Sequence, residues 1–104
     1  MIKVLFSSKA EKIYQKLKDS KLKEDRILLK AIDTKVLLIK SDPQIGDQIR
    51  KKSIPKELKV HNLFRIALPC YWRMLYTLER DNVTIIAFVI DITTHKQYDR
   101  IMKY

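Results

Sequence analysis

The spacing of apolar positions changes twice along the chain, and each change marks a different kind of element. Residues 2–6 alternate weakly and predict a short strand. Ser8-Lys9-Ala10-Glu11 then fits a capping box, and Ile13, Tyr14 and Leu17 follow at helical spacing. Lys9, Lys12 and Lys16 fill the outer face of this helix. After a break near Ser20 a second helix is predicted from about Glu24. Its Ile27, Leu28, Ala31, Ile32, Val36 and Ile39 form one stripe, and Asp42-Pro43 stops it because the residue before proline avoids the helical region. Two antiparallel helices joined by a short turn result.

Residues 44–60 read as a basic connection around Pro55. The period then falls from helical to two. Phe64, Ile66 and Leu68 alternate with Leu63, Arg65 and Ala67, and Pro69-Cys70 breaks the run. Trp72, Met74, Tyr76 and Leu78 alternate with Tyr71, Arg73, Leu75 and Thr77. Glu79 to Asn82 supplies a turn, and Val83 to Ile92 is apolar on both faces, as a central strand should be. Thr93 or Thr94 can cap a last short helix through Tyr104. The prediction is one α+β domain over residues 1–104, with a helical hairpin on one face of an antiparallel sheet. Its strands include residues 62–68, 72–79 and 83–91, and the N-terminal strand joins them.

Composition narrows the function. The single glycine, Gly46, cannot build a phosphate-cradling glycine-rich loop. One cysteine, Cys70, excludes an internal disulfide and a cysteine-based zinc site. His61 and His95, 34 residues apart, are a poor start for a metal site, so neither a metal nor a cofactor is expected. No run approaches the roughly 18 apolar residues of a membrane span, and the first residues turn polar too soon for a signal peptide. A soluble, cytoplasmic protein with no membrane contact is expected. The net charge of +10 favours an anionic partner, nucleic acid or an acidic protein. Residues 1–60 carry 16 basic and 8 acidic side chains, against 6 and 4 in residues 61–104. The first part therefore reads as the electrostatic footprint and the second as the core.

Three features give the chain a family likeness. The order and length of its elements suit a compact toxin domain. The segments Asn62-Leu-Phe-Arg-Ile-Ala-Leu-Pro and Tyr71-Trp-Arg-Met-Leu-Tyr look like paired strands, with a basic residue on the first and an aromatic–Arg–apolar–apolar–Tyr run on the second. The tail Thr94-His-Lys-Gln-Tyr-Asp-Arg-Ile pairs a histidine with a tyrosine. On these grounds the sequence resembles the RelE/ParE toxin superfamily, with a tail similar to the HigB branch and a Pro43–Pro55 stretch similar to archaeal members. The resemblance implies the toxin of a type II toxin–antitoxin system, silenced by a cognate acidic antitoxin. RelE and HigB types cut mRNA, usually in the 30S A site of the ribosome, whereas ParE inhibits DNA gyrase. Fold alone does not choose between them.

Metal-free RNA cleavage uses the 2′-hydroxyl as nucleophile, and needs a proton acceptor, a proton donor and cations around the phosphorane. Arg73 matches the strand arginine that contacts the scissile phosphate in RNA-cleaving relatives. It faces out of the sheet if Trp72 and Met74 face in, and otherwise pairs with Asp91 or lies solvated. Arg65 matches the basic position of the preceding strand. Whether it shares a face with Arg73 depends on register across Pro69-Cys70. RelE has a second basic residue two positions on, where this chain has Ala67. His95 is of the type that titrates near neutrality, and Tyr98, three residues on, matches the tail tyrosine that stacks on a base or helps to move a proton. Alternatively His95 packs at the helix start and Tyr98 anchors the helix to the sheet. Lys96 and the group Arg50, Lys51, Lys52, Lys56 and Lys59 are candidate RNA contacts, or else a solvated basic surface. His61 and Cys70 receive no role, and Trp72, Tyr76 and Phe88 read as core. Three readings stand: an mRNA endoribonuclease, a non-catalytic member that binds gyrase or only its antitoxin, and a basic RNA-binding module.

Overall fold

A computed structural model describes all 104 residues. It contains β1 (Ile2–Phe6), α1 (Ser8–Asp19), α2 (Lys23–Ser41), β2 (Asp47–Gln48), β3 (Phe64–Leu68), β4 (Trp72–Arg80), β5 (Ile85–Thr94) and α3 (His95–Met102). Short 3-10 turns occupy Lys51–Ser53, Lys56–Leu58 and Pro69–Tyr71. The strands form one sheet in the order β1-β5-β4-β3-β2. The α+β hairpin-on-sheet reading holds, with β5 an interior strand between β1 and β4, as its two-sided apolarity requires, although β4 takes the middle position. The sheet is mixed: β1 runs parallel to β5 and the remaining pairs are antiparallel.

One face of the sheet packs on the α1–α2 hairpin. Phe64, Ile66, Leu68, Met74, Tyr76, Ala87, Val89 and Ile92 meet Ala10, Leu17, Leu28, Ile32 and Ile39 there. Ile27, placed in the α2 stripe by its spacing, is half exposed at the stripe's edge. The other face is not bare. Leu75, Leu63 and Ile49 form a second, smaller core with Tyr98 and Met102 of α3. Ile54, Leu58 and Val60 of the basic connection pack against it. That connection is therefore a cover for the second face, with its lysines turned outward.

The α1 cap lies one residue earlier than the capping-box pattern suggests. Ser7, not Ser8, is the N-cap, and its hydroxyl accepts from the Ala10 amide at 3.0 Å. The same hydroxyl donates to the Ile90 carbonyl at 2.8 Å. Ile90 is the extra residue of a β-bulge, since Leu75 pairs with Asp91 while Tyr76 pairs with Val89. One serine thus starts a helix and satisfies a bulge carbonyl. Glu11, displaced from the box, instead accepts from Gln15 at 3.0 Å. At the other end Thr94 caps α3 in a true capping box with Gln97. The helix stops at Met102, two residues short of the expected end, because Lys103 turns left-handed at φ 62°.

Tyr76 explains the single glycine. Its buried hydroxyl donates to the Pro43 carbonyl at 2.8 Å and accepts from the Gly46 amide at 3.0 Å, tying the chain after α2 to the sheet. A β-carbon at Gly46 would lie 2.9 Å from that hydroxyl and 3.1 Å from the Arg65 carbonyl. No side chain fits between them unless the clamp shifts.

Candidate functional site

The β3–β4 register answers the question left open by the sequence. Ala67 pairs with Arg73 and Arg65 with Leu75, so Arg65 and Arg73 emerge on the same face, opposite the hairpin. Tyr98 of α3 lies beside both. The Arg65 Nη1 donates to the Tyr98 hydroxyl at 3.0 Å, and its guanidinium carbon is 5.7 Å from the ring centroid. The Arg73 guanidinium carbon lies 5.0 Å from the same centroid, within cation–π range.

The two arginines differ in how far they are committed. Arg65 also makes a loose ion pair with exposed Asp47 at 3.8 Å. Arg73 has no carboxylate partner: Asp91, its sequence-level alternative, accepts from Lys9 at 2.8 Å instead. The register partner of Arg73 is Thr93, and the Arg73 Nε and Thr93 Oγ1 are both buried with no hydrogen-bond partner. A half-buried guanidinium without an acceptor is costly to hold, and an anion oxygen relieves that cost.

Tyr98 is 1% exposed, so its ring is a shelf for the arginines and not an open stacking surface. Burial pushes its phenol above the ordinary tyrosine range; the nearby Tyr104 phenol adds to that rise, and Arg65 opposes it. His95 stands at the first position of α3, half exposed, with its Nε2 3.8 Å from Asp99. Its ring lies 6.0 Å from that of Tyr71. The three-residue spacing of His95 and Tyr98 does not give them equal exposure: Tyr98 turns down onto the sheet and His95 stays at the rim. Lys96 is exposed, as are Arg50, Lys51, Lys52, Lys56 and Lys59. None of them is among the partners of Arg65 or Arg73, and the connection is tied to the C-terminus by Lys103 and Glu57 at 2.6 Å.

Cys70 and His61 are exposed, and no group of three or more His, Cys, Asp or Glu side chains is placed to hold a metal ion. A hollow of about 440 Å³ between the chain after α2 and the ends of β4 and β5 contains none of the candidate residues. A cleft of about 180 Å³ between α2 and β3 includes Arg65 together with Lys35, Leu38 and Ile45. Thr93, across the register from Arg73, and Tyr71, two residues before it, receive no site role from the sequence. Thr93 becomes visible only through strand register. Alternation alone puts Tyr71 in register with β4, but it belongs to the Pro69–Tyr71 turn.

The raised phenols predict alkaline lability. Tyr14 is pushed up to about 12, first by its 2.6 Å hydrogen bond to Asp33, and burial raises Tyr76 and Tyr98. Below pH 10 folded and unfolded tyrosines are both neutral. Above it the unfolded chain releases protons first, so stability should fall from about pH 10 upward until the folded phenols ionise. Thermal unfolding followed between pH 8 and 12 checks this, and a flat Tm across that window would contradict it.

No family model matches the sequence, and no curated protein does. Solved structures do. The chain is similar to a YoeB/ParE toxin from Agrobacterium tumefaciens at a TM-score of 0.65 and 11% identity, over 89% of this chain and 98% of that one. It is also similar to the YoeB dimer from Staphylococcus aureus at a TM-score of 0.62 and 18% identity, over 90% of this chain and 97% of that one.

Proposed function

We propose, from the RelE/ParE toxin fold of this chain, that it is the toxin of a type II toxin–antitoxin pair and cuts mRNA on the ribosome. The observation that carries this reading is the convergence of Arg65 and Arg73 on one sheet face, with Arg73 lacking any protein acceptor. In the reaction the 2′-hydroxyl attacks the neighbouring phosphorus and the bond to the 5′-oxygen breaks. The products are a 2′,3′-cyclic phosphate and a 5′-hydroxyl. Arg73, and Arg65 beside it, neutralise the charge that builds on the phosphorane. His95 carries a proton at the rim, and Tyr98 fixes the arginines from beneath. Lys96 and the outward lysines of the 44–60 connection draw in the polyanion.

An acidic antitoxin is the second partner in this reading. The α2 helix supports it with half-exposed Ile27 and exposed Leu37 and Leu38 among lysines, a surface suited to an amphipathic acidic helix.

A non-catalytic role as a gyrase inhibitor or antitoxin-binding remnant is the competing reading. Ala67, which lies on the arginine face where RelE has a second basic residue, favours it. Primer extension across cellular transcripts after induction separates the two. Cuts inside translated codons, lost in Arg73→Ala, are expected. Growth arrest with intact transcripts would sink the nuclease.

A further inference from the structure

Tyr71 stands out as an exposed aromatic held by an uncommon backbone. It is 82% exposed, and the His95 ring centroid lies 6.0 Å from its own at an interplanar angle of 52°. Cys70 and Tyr71 are consecutive non-glycine residues at φ 60° and 62°. That left-handed region is seldom occupied by residues with a β-carbon, and two in succession are rarer still. The turn Pro69–Tyr71 therefore does not let Tyr71 follow the strand alternation into the sheet. It lifts the ring out at the start of β4, two residues before Arg73.

We infer that Tyr71 is a stacking platform for a nucleobase of the bound RNA, holding the base beside the phosphate that Arg73 engages. This rests on the RNA-cleaving reading of the arginine pair. The chemistry is that of single-strand recognition, in which aromatic rings stack unpaired bases and cations hold the backbone. Tyr98 cannot serve as that ring because it is buried beneath the arginines. Trp72 is half buried against the hairpin core. Tyr71, two residues before Arg73 and beside His95 at the rim, has a free face. Charge complementarity points to the same occupant: the Arg73 guanidinium has no carboxylate partner, and RNA supplies base and phosphate together.

The test titrates the full-length protein with a short single-stranded RNA containing 2-aminopurine, whose fluorescence is quenched on stacking. Wild type should quench it. Tyr71→Ala should abolish the quenching and weaken binding by roughly ten- to a hundred-fold, and Tyr71→Trp should restore both. Tyr71→Gly should lose the quenching while unfolding at a higher temperature than Tyr71→Ala, since glycine relieves the backbone strain. Arg73→Ala should weaken binding and lower its salt dependence, yet still quench at saturation. Unchanged quenching in Tyr71→Ala, with Arg73→Ala impaired, would overturn the platform alone. So would a Tyr71→Ala protein that keeps the RNA signal but loses affinity for an acidic helical peptide. Failure of the wild type to bind RNA would remove the RNA reading and the platform together.

Discussion

A Tyr98→Ala variant will lose about 3–5 kcal/mol of stability, the range for truncating a large buried ring, and under the proposed RNA-cleaving function its activity will fall with it. The reasons lie in how α3 is attached. Tyr98 and Met102 are its buried residues, and the core they enter has only five members, Ile49, Leu63, Leu75, Tyr98 and Met102. Removing the ring opens a cavity under two guanidinium groups whose faces it covers. It also removes the acceptor of Arg65. Tyr98→Phe keeps the shelf and deletes only that acceptor, at about 1 kcal/mol. Urea unfolding of the three proteins orders them wild type, Phe, Ala. An Ala variant as stable as wild type would mean that α3 docks without its tyrosine and that the arginines are placed by the sheet alone.

The sequence revealed these elements better than their edges or faces. The β5 run was legible because ten nearly continuous apolar positions suit only an interior strand, and α2 because its stripe persists until Asp42-Pro43. β2 was not, since Asp47 and Gln48 carry no apolar signal and owe their pairing to Phe64 and Arg65 across the edge. The α1 cap was misplaced by one residue. Ser7 and Ser8 are chemically equivalent, and only Ser7 can also reach the Ile90 carbonyl of the bulge. At the site, spacing could name Arg65, Arg73, His95 and Tyr98 but not their depth. Helical periodicity places His95 and Tyr98 near one face without saying which of them the sheet will cover. Strand alternation likewise cannot place Arg65 with Arg73 until the Pro69–Tyr71 turn sets the register, and that same turn removed Tyr71 from the alternation.

Under the proposed RNA-cleaving function, Arg73→Ala and His95→Gln should both slow cleavage and should differ in how the loss depends on pH. Arginine stays charged across the usable range, so Arg73→Ala removes the same stabilisation everywhere, about 10²–10³-fold in rate. Arg73→Lys should recover little of it, because an ammonium does not reproduce the planar fork over Tyr98 that presents several N–H groups to phosphate oxygens. His95→Gln keeps polar bulk at the helix start but cannot accept or release a proton. It should cost on the order of 10²–10⁴-fold, and this loss, unlike that of Arg73→Ala, should vary with pH because a proton carrier is removed. Single-turnover cleavage on programmed ribosomes, measured from pH 5.5 to 9, reads both effects. The two losses should also fail to multiply in the double variant, as expected when cation and proton carrier act on one phosphorane. If both variants stay folded and cut at the wild-type rate, the strand arginine and the tail histidine are structural. The fold would then have come without this chemistry, and the arginine face would have to serve a protein partner.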